Sequence, residues 1–284
     1  MVRGTLRTLG SPGGVGRPGK AQWLVIRPAL GRIVVLFAAF VALYFIAVRS
    51  AAGQRLDVTG FAVAASIGGR WPWAYAILRD GLPWLLAAAT LLLAVRAVFK
   101  RRWRDLIGAV LAVASAPLLT HILRLVLPRP FLGANGYAYN TFPSGHAAAI
   151  GSLLFAIYVI SPRRFRGPRL GIGCAVITAA AGSASVMSYA HRPSDVVGAL
   201  LVVAMAGVVA LAATANDVLP VWPPWSRAVW AVAVGAAAAS GGWWILSGCS
   251  AAAAVSYAGV VVALSLVIFG LPSRRSRPGS ATTT

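Results

Sequence analysis

Glutamate is absent from this chain of 284 residues, and its five acidic residues are all aspartate: Asp57, Asp80, Asp105, Asp195 and Asp217. Charged residues of both signs make up 11%, less than half of the roughly 25% carried by a soluble domain, which excludes an ordinary water-soluble fold. Only two cysteines are present, Cys174 and Cys249, both in or beside apolar segments, so a disulfide scaffold is excluded as well. Lysine is as scarce, at Lys20 and Lys100, and arginine supplies nearly all of the 26 basic residues. Histidine occurs three times, at His121, His146 and His191.

What is abundant is apolar: 59% of the residues, with a mean hydropathy of +0.79. Runs of about 20 apolar residues recur, each long enough to cross a bilayer, which excludes disorder over most of the length. These features predict an all-α, polytopic membrane helical bundle. The net charge of +21 raises the question of nucleic acid, but Arg and Lys fall in short clusters between apolar runs, as cytoplasmic loops do. No nucleic-acid partner is expected.

Residues 1–32, rich in Gly, Pro and Arg, read as a disordered basic cytoplasmic tail. A first span is expected over Ile33–Val48; its long basic leader favours an uncleaved signal anchor over a cleavable signal peptide. Further spans are expected near 82–99, 106–126, 147–160, 170–189 and 196–214. They make a six-span core over residues 33–215, followed by two additional transmembrane helices within 216–271, near 228–246 and 251–271. A basic tail, 272–284, closes the chain. Short basic clusters at 100–104 and 163–169 then share one side with both termini, so N- and C-termini are expected in the cytoplasm. The opposite side receives a long first loop, about residues 49–81, whose Trp71, Trp73 and Tyr75, with Trp84 just beyond it, suit a membrane interface and suggest a lid or lipid-access element. Small-residue runs in the last two spans (Ala236–Gly242, Ala251–Ala254) suit tight helix packing and a homodimer.

Some charges defy this pattern. Arg124, Arg129 and Arg192, all three histidines and Asp195 fall at span ends on the outer side, in three segments far apart in sequence. Ionisable groups at such depth are costly and mark function by default; interfacial snorkelling explains one arginine but poorly explains this convergence. Thr141-Phe142-Pro143-Ser144-Gly145-His146 opens the fourth span. Pro and Ser there are ordinary helix-start residues, and the same free N–H groups with the Ser144 hydroxyl make a ready anion site. Gly145 admits a ligand close to the backbone, and His146 can deliver a proton to it. In His191-Arg192-Pro193-Ser194-Asp195, a carboxylate four residues from an imidazole can fix its tautomer and leave the other nitrogen to react. In Arg124-Leu125-Val126-Leu127-Pro128-Arg129-Pro130, two guanidinium forks match phosphate oxygens or, taken singly, lipid headgroups.

In order and spacing, these segments resemble the type-2 phosphatidic acid phosphatase superfamily of membrane lipid phosphatases, related to vanadium haloperoxidases, over roughly residues 80–215. Its motifs run Lys-x6-Arg-Pro, Pro-Ser-Gly-His and Ser-Arg-x5-His-x3-Asp. Here Arg129-Pro130, Pro143-Ser144-Gly145-His146 and His191-x3-Asp195 match. The resemblance implies that His191 is a nucleophile forming a phosphohistidine, that Asp195 orients it, and that His146 is the acid and then the base. It also implies that Arg129, Ser144 and the Gly145 amide hold phosphate oxygens.

The sequence departs from the pattern twice. Ile122 stands where the first lysine would fall, leaving Arg124 as the nearest cation, and Ser185 stands where the third-motif arginine would, with Arg192 as a neighbouring substitute. With no glutamate and Asp195 committed to His191, a two-metal centre is difficult to build, so metal- and cofactor-free hydrolysis that survives chelation is expected.

The expected activity is therefore hydrolysis of a lipid phosphomonoester or diphosphate at the outer face of the plasma membrane. Polyprenyl diphosphate, phosphatidic acid and phosphatidylglycerol phosphate are candidate substrates. The rival is a phosphatase-like protein that binds or transports a lipid phosphate without cleaving it.

Overall fold

A computed structural model describes residues 20–68, 71–133, 139–214 and 261. Among them are seven α-helices and no strand: α1 Lys20–Leu43, α2 Ala51–Gly68, α3 Pro72–Phe99, α4 Trp103–Val126, α5 Gly145–Ile160, α6 Pro168–Met187 and α7 Pro193–Ala213. A π-helical turn, Tyr44–Val48, continues α1. Five stretches are long and apolar enough to cross a membrane: Ala29–Val48, Pro72–Phe99, Trp103–Val126, Arg169–Met187 and Pro193–Ala213. The chain is a multi-pass helical membrane protein.

Helix starts follow local chemistry. Pro72, Pro168 and Pro193 open their helices, where a missing N–H costs nothing and φ is already helical. Ser144 caps α5, its hydroxyl accepting from Ala147 N at 3.3 Å.

Two expectations change, and the fourth span keeps its expected place but is short. Residues 20–32, expected in a disordered tail, are helical and begin α1. The 49–81 segment, expected as a loop, is instead largely helical, forming α2 and the first turns of α3. Its scattered arginines broke the hydropathy pattern without breaking the helix. The fourth span is a helix of only 16 residues. That is about 24 Å long against about 30 Å of hydrocarbon, yet it is buried along nearly all its length, so its neighbours and not lipid set its extent. The two C-terminal spans and the homodimer attached to them lie outside the described residues, apart from Val261, which is buried.

α5 and α7 form the centre, flanked by α4, α1, α3 and α6. Ile150, Leu154, Val196, Leu200, Val202 and Val203 are fully buried there. α3 and α4 instead turn Leu85, Leu91, Leu92, Val110 and Leu118 outward, as a lipid-facing surface does. Glycines let the central elements approach: a Cβ at Gly198 would lie 2.5 Å from Phe142 Cε2, and one at Gly207 2.9 Å from Phe155 Cε2. Phe142 in turn packs on Phe40 and Tyr44, with ring centroids 5.4 and 5.9 Å away.

The 100–104 and 163–169 clusters meet at one end of the bundle. Asp105 pairs there with Arg102 and Arg166, at 2.5 and 2.6 Å. Arg102 also donates to Ile160 O and Ser161 O, closing the C-terminus of α5, where cations are favoured. Arg96, Lys100, Arg102, Pro162 and Arg163 line a cavity of about 370 Å³ at this end. The histidine motifs occupy the other end.

Candidate active site

The site assembles where α4 ends and α5 and α7 begin. α6 closes with Ser188, followed by Tyr189 in the left-handed region at φ 56°. The Ala190 and His191 amides then both donate to Ser185 O at 3.2 Å. This tight reversal presents His191 just ahead of α7 and buries it. Because α7 starts only at Pro193, His191 lies ahead of the helix and does not share a helical face with Asp195. They still meet, with His191 Nδ1 3.8 Å from Asp195 Oδ2.

His146, in the first turn of α5, is partly open to the surface, and its ring centroid lies 5.7 Å from that of His191. Two imidazoles 45 residues apart in sequence thus face one small space, one buried and backed by a carboxylate, the other more accessible. The link between the two motifs is direct, since Ser144 N donates to Asp195 O at 2.9 Å.

Asp195 is fully buried and saturated with donors. Oδ1 accepts from Arg129 Nη1 at 2.9 Å; Oδ2 accepts from Arg192 N at 2.9 Å and from the Thr141 hydroxyl. A buried carboxylate is sustained by such charge-assisted bonds. Arg129 does not point its fork at open space. Its second nitrogen, Nη2, donates to Asp57 Oδ2 at 2.5 Å, and the side chain is 5% exposed. Asp57 comes from α2 and also accepts from the Ser194 amide and hydroxyl, at 3.0 and 2.6 Å. A buried row, Asp57–Arg129–Asp195, therefore fastens α2, the loop after α4 and the start of α7. Burial pushes the Asp57 carboxyl up to about 6 against the downward pull of Arg129, while the charge of Asp195 pushes the same way as burial.

Arg124 Nη2 donates to Pro143 O at 2.8 Å, and a Cβ on Gly145 would come within 3.4 Å of it. The guanidinium thus lies over the start of α5. Ser144 is fully buried and caps its helix, and Arg192 is buried at the start of α7. His121 is exposed one turn before Arg124. Ser185 is fully buried with its hydroxyl on Ala181 O at 3.1 Å.

Several contributors escaped the motif reading. Asp57 and the adjacent pair Arg79 and Asp80 all reach this end, and Asp80 Oδ1 stands 3.3 Å from His146 Nε2. Gln54 and Tyr44 brace the loop carrying Arg129, donating to Pro130 O and Pro128 O at 2.7 Å each. One signal was available. In a chain without glutamate, each of five aspartates asks for a reason, and three of them converge here. Among the described residues no group of three His, Cys, Asp or Glu is arranged to hold a metal ion.

Residues 105–219 match the family model described as the PAP2 superfamily. That stretch is a PAP2 superfamily domain, in agreement with the resemblance carried by the three motifs. It takes in α5 to α7, all but the first two residues of α4 and every motif residue, and it leaves Asp57, Arg79 and Asp80 outside. No curated protein and no solved structure matches the chain.

Proposed function

We propose that this chain, a multi-pass bundle carrying a PAP2 superfamily domain, is a metal-independent lipid phosphate or diphosphate phosphatase. Its active site faces the outer side of the plasma membrane, and it works through a phosphohistidine. The observation that carries the reading is the pairing of His191 with His146 across 5.7 Å, with Asp195 behind the former.

With Nδ1 turned to Asp195, His191 Nε2 is the nitrogen free to attack phosphorus. The P–N bond forms as the P–O bond to the lipid breaks, and His146 gives its proton to the departing oxygen. His146 then takes a proton from water, whose oxygen attacks phosphorus, releasing phosphate and restoring neutral His191. Asp195 stabilises the positive ring in between. Arg124, the Gly145 amide and the helix start capped by Ser144 supply positive potential to the equatorial oxygens. Arg192 adds charge beside the nucleophile, and Arg129 acts by holding Asp195. An apolar tail lying in the bilayer accounts for chemistry mounted on span ends, and makes phosphatidic acid, phosphatidylglycerol phosphate and polyprenyl diphosphate the substrates to try.

The buried Ser185 hydroxyl, with no cation at that position, favours the second reading, binding or transport without cleavage. Phosphate release from a panel of lipid phosphates in detergent micelles containing EDTA separates the two. Wild type is expected to turn over and His191→Ala to fall to background. Folded wild type that binds these lipids but releases no phosphate from any of them would move the assignment to the second reading.

A further inference from the structure

The first turns of α3 run past the histidine pair and contribute two charged residues outside the matched domain. Arg79 is only 16% exposed. Its Nη1 donates to Ser188 Oγ at 3.1 Å, and that hydroxyl donates to Ser185 O, the carbonyl that also receives the His191 amide. The guanidinium is thus tied to the turn presenting the nucleophile. Its other two nitrogens form a fork on Asp80, with both N–H···O contacts at 2.7 Å. Asp80 is half exposed, and the same Oδ1 that meets Arg79 Nε lies 3.3 Å from His146 Nε2.

One solvent-facing carboxylate therefore fills a notch made by a guanidinium fork and an imidazole nitrogen, beside the nucleophile. Carboxylate and phosphate oxygens satisfy a guanidinium fork with the same geometry. Two features distinguish the partners. Arg79 is largely buried and anchored through Ser188, so it stays when Asp80 leaves, whereas Asp80 is held by side-chain contacts at an exposed site, where ion pairs are weak.

We propose that Arg79 is a phosphate-binding residue, and that Asp80 is a resident anion occupying its place until the substrate phosphate displaces it. This rests on the phosphatase reading and extends it. It assigns a cation to the turn where Ser185 provides none, delivered from a different helix. It also assigns a selectivity to the site. A terminal phosphate with two charges and three free oxygens outcompetes a single carboxylate. The phosphodiester headgroups of bulk lipid carry one charge and lack the terminal oxygens, and Asp80 keeps them out.

The test is binding of orthovanadate and of inorganic phosphate to the full-length protein in detergent with EDTA, measured by calorimetry. Wild type is compared with Arg79→Ala, Arg79→Lys and Asp80→Asn; Arg55→Ala, an exposed arginine of α2, controls for loss of net charge. Arg79→Ala is expected to weaken both anions by about tenfold or more, the loss of a charge-assisted contact, with Arg79→Lys in between. Asp80→Asn is expected to tighten them several-fold, and to let phosphodiester lipids inhibit turnover. A carboxylate that merely orients His146 gives the opposite sign on Asp80→Asn. Affinity in Arg79→Ala within twofold of wild type, or weaker binding in Asp80→Asn, overturns the proposal while leaving the phosphatase reading intact. Wild type that neither binds vanadate nor releases phosphate removes both.

Discussion

At the scale of single residues, the motif histidines and Asp195 were legible because their chemistry is written in short, contiguous spacing. Arg129 shows the limit of that reading. Spacing marks it as a phosphate cation, but only the fold reveals that Asp57, 72 residues away, takes half of its fork. The partner of Asp57 was invisible because nothing adjacent to it in sequence announces one; only the scarcity of acidic residues marked Asp57 itself. Its raised pKa makes a prediction. A carboxyl whose folded value lies above its ordinary 3.8 favours folding in its protonated form. That contribution is complete below about pH 4 and is lost as pH rises through about 6. The melting temperature of wild type in detergent is expected to drop through this window by about 5 °C relative to Asp57→Asn, which has no proton to lose there. A constant offset between the two proteins across pH 4–7 would place the charge elsewhere.

At the scale of elements, hydropathy located the five long apolar helices because lipid imposes one strong rule on them. It misread 49–81 because a helix that packs on the site, and is not required to cross hydrocarbon, can carry Gln54 and Asp57 as buried partners and Arg55 exposed. The α5–α7 contact obeys a different constraint, the space for one side chain. Gly198 leaves room for the ring of Phe142, which is fully buried and stands between Thr141 and the Pro143-Ser144 cap. Gly198→Ala is therefore expected to cost about 1–3 kcal/mol through overpacking, lowering the melting temperature by about 3–10 °C. Activity should fall as well, because Thr141 and Ser144 move with Phe142. Scanning fluorimetry and turnover, measured on one preparation, check both; an unaltered melting temperature would mean that the interface is looser than this packing.

At the scale of the whole molecule, the two ends of the bundle differ in kind. One gathers arginines around Asp105 and a shallow basic cavity, the other gathers histidines, aspartates and helix starts. The orientation proposed above, which follows the positive-inside rule, puts the first end in the cytoplasm. Cysteine placed at exposed Tyr139 is then expected to react with an impermeant maleimide on intact cells, and cysteine placed at Arg163 only after lysis. The reverse pattern would put the chemistry inside.

The central claim is that His191 carries the phosphoryl group, and a rapid-quench experiment with a ³²P-labelled aryl phosphate tests it most directly, because that leaving group needs no proton. Wild type should show a transient label on the protein that survives base and is lost in acid. His146→Ala should accumulate it, since its release by water slows about 10²–10⁴-fold without the base. His191→Ala should show none. Label on His191→Ala, or turnover by wild type with no labelled protein at any time, would contradict the account.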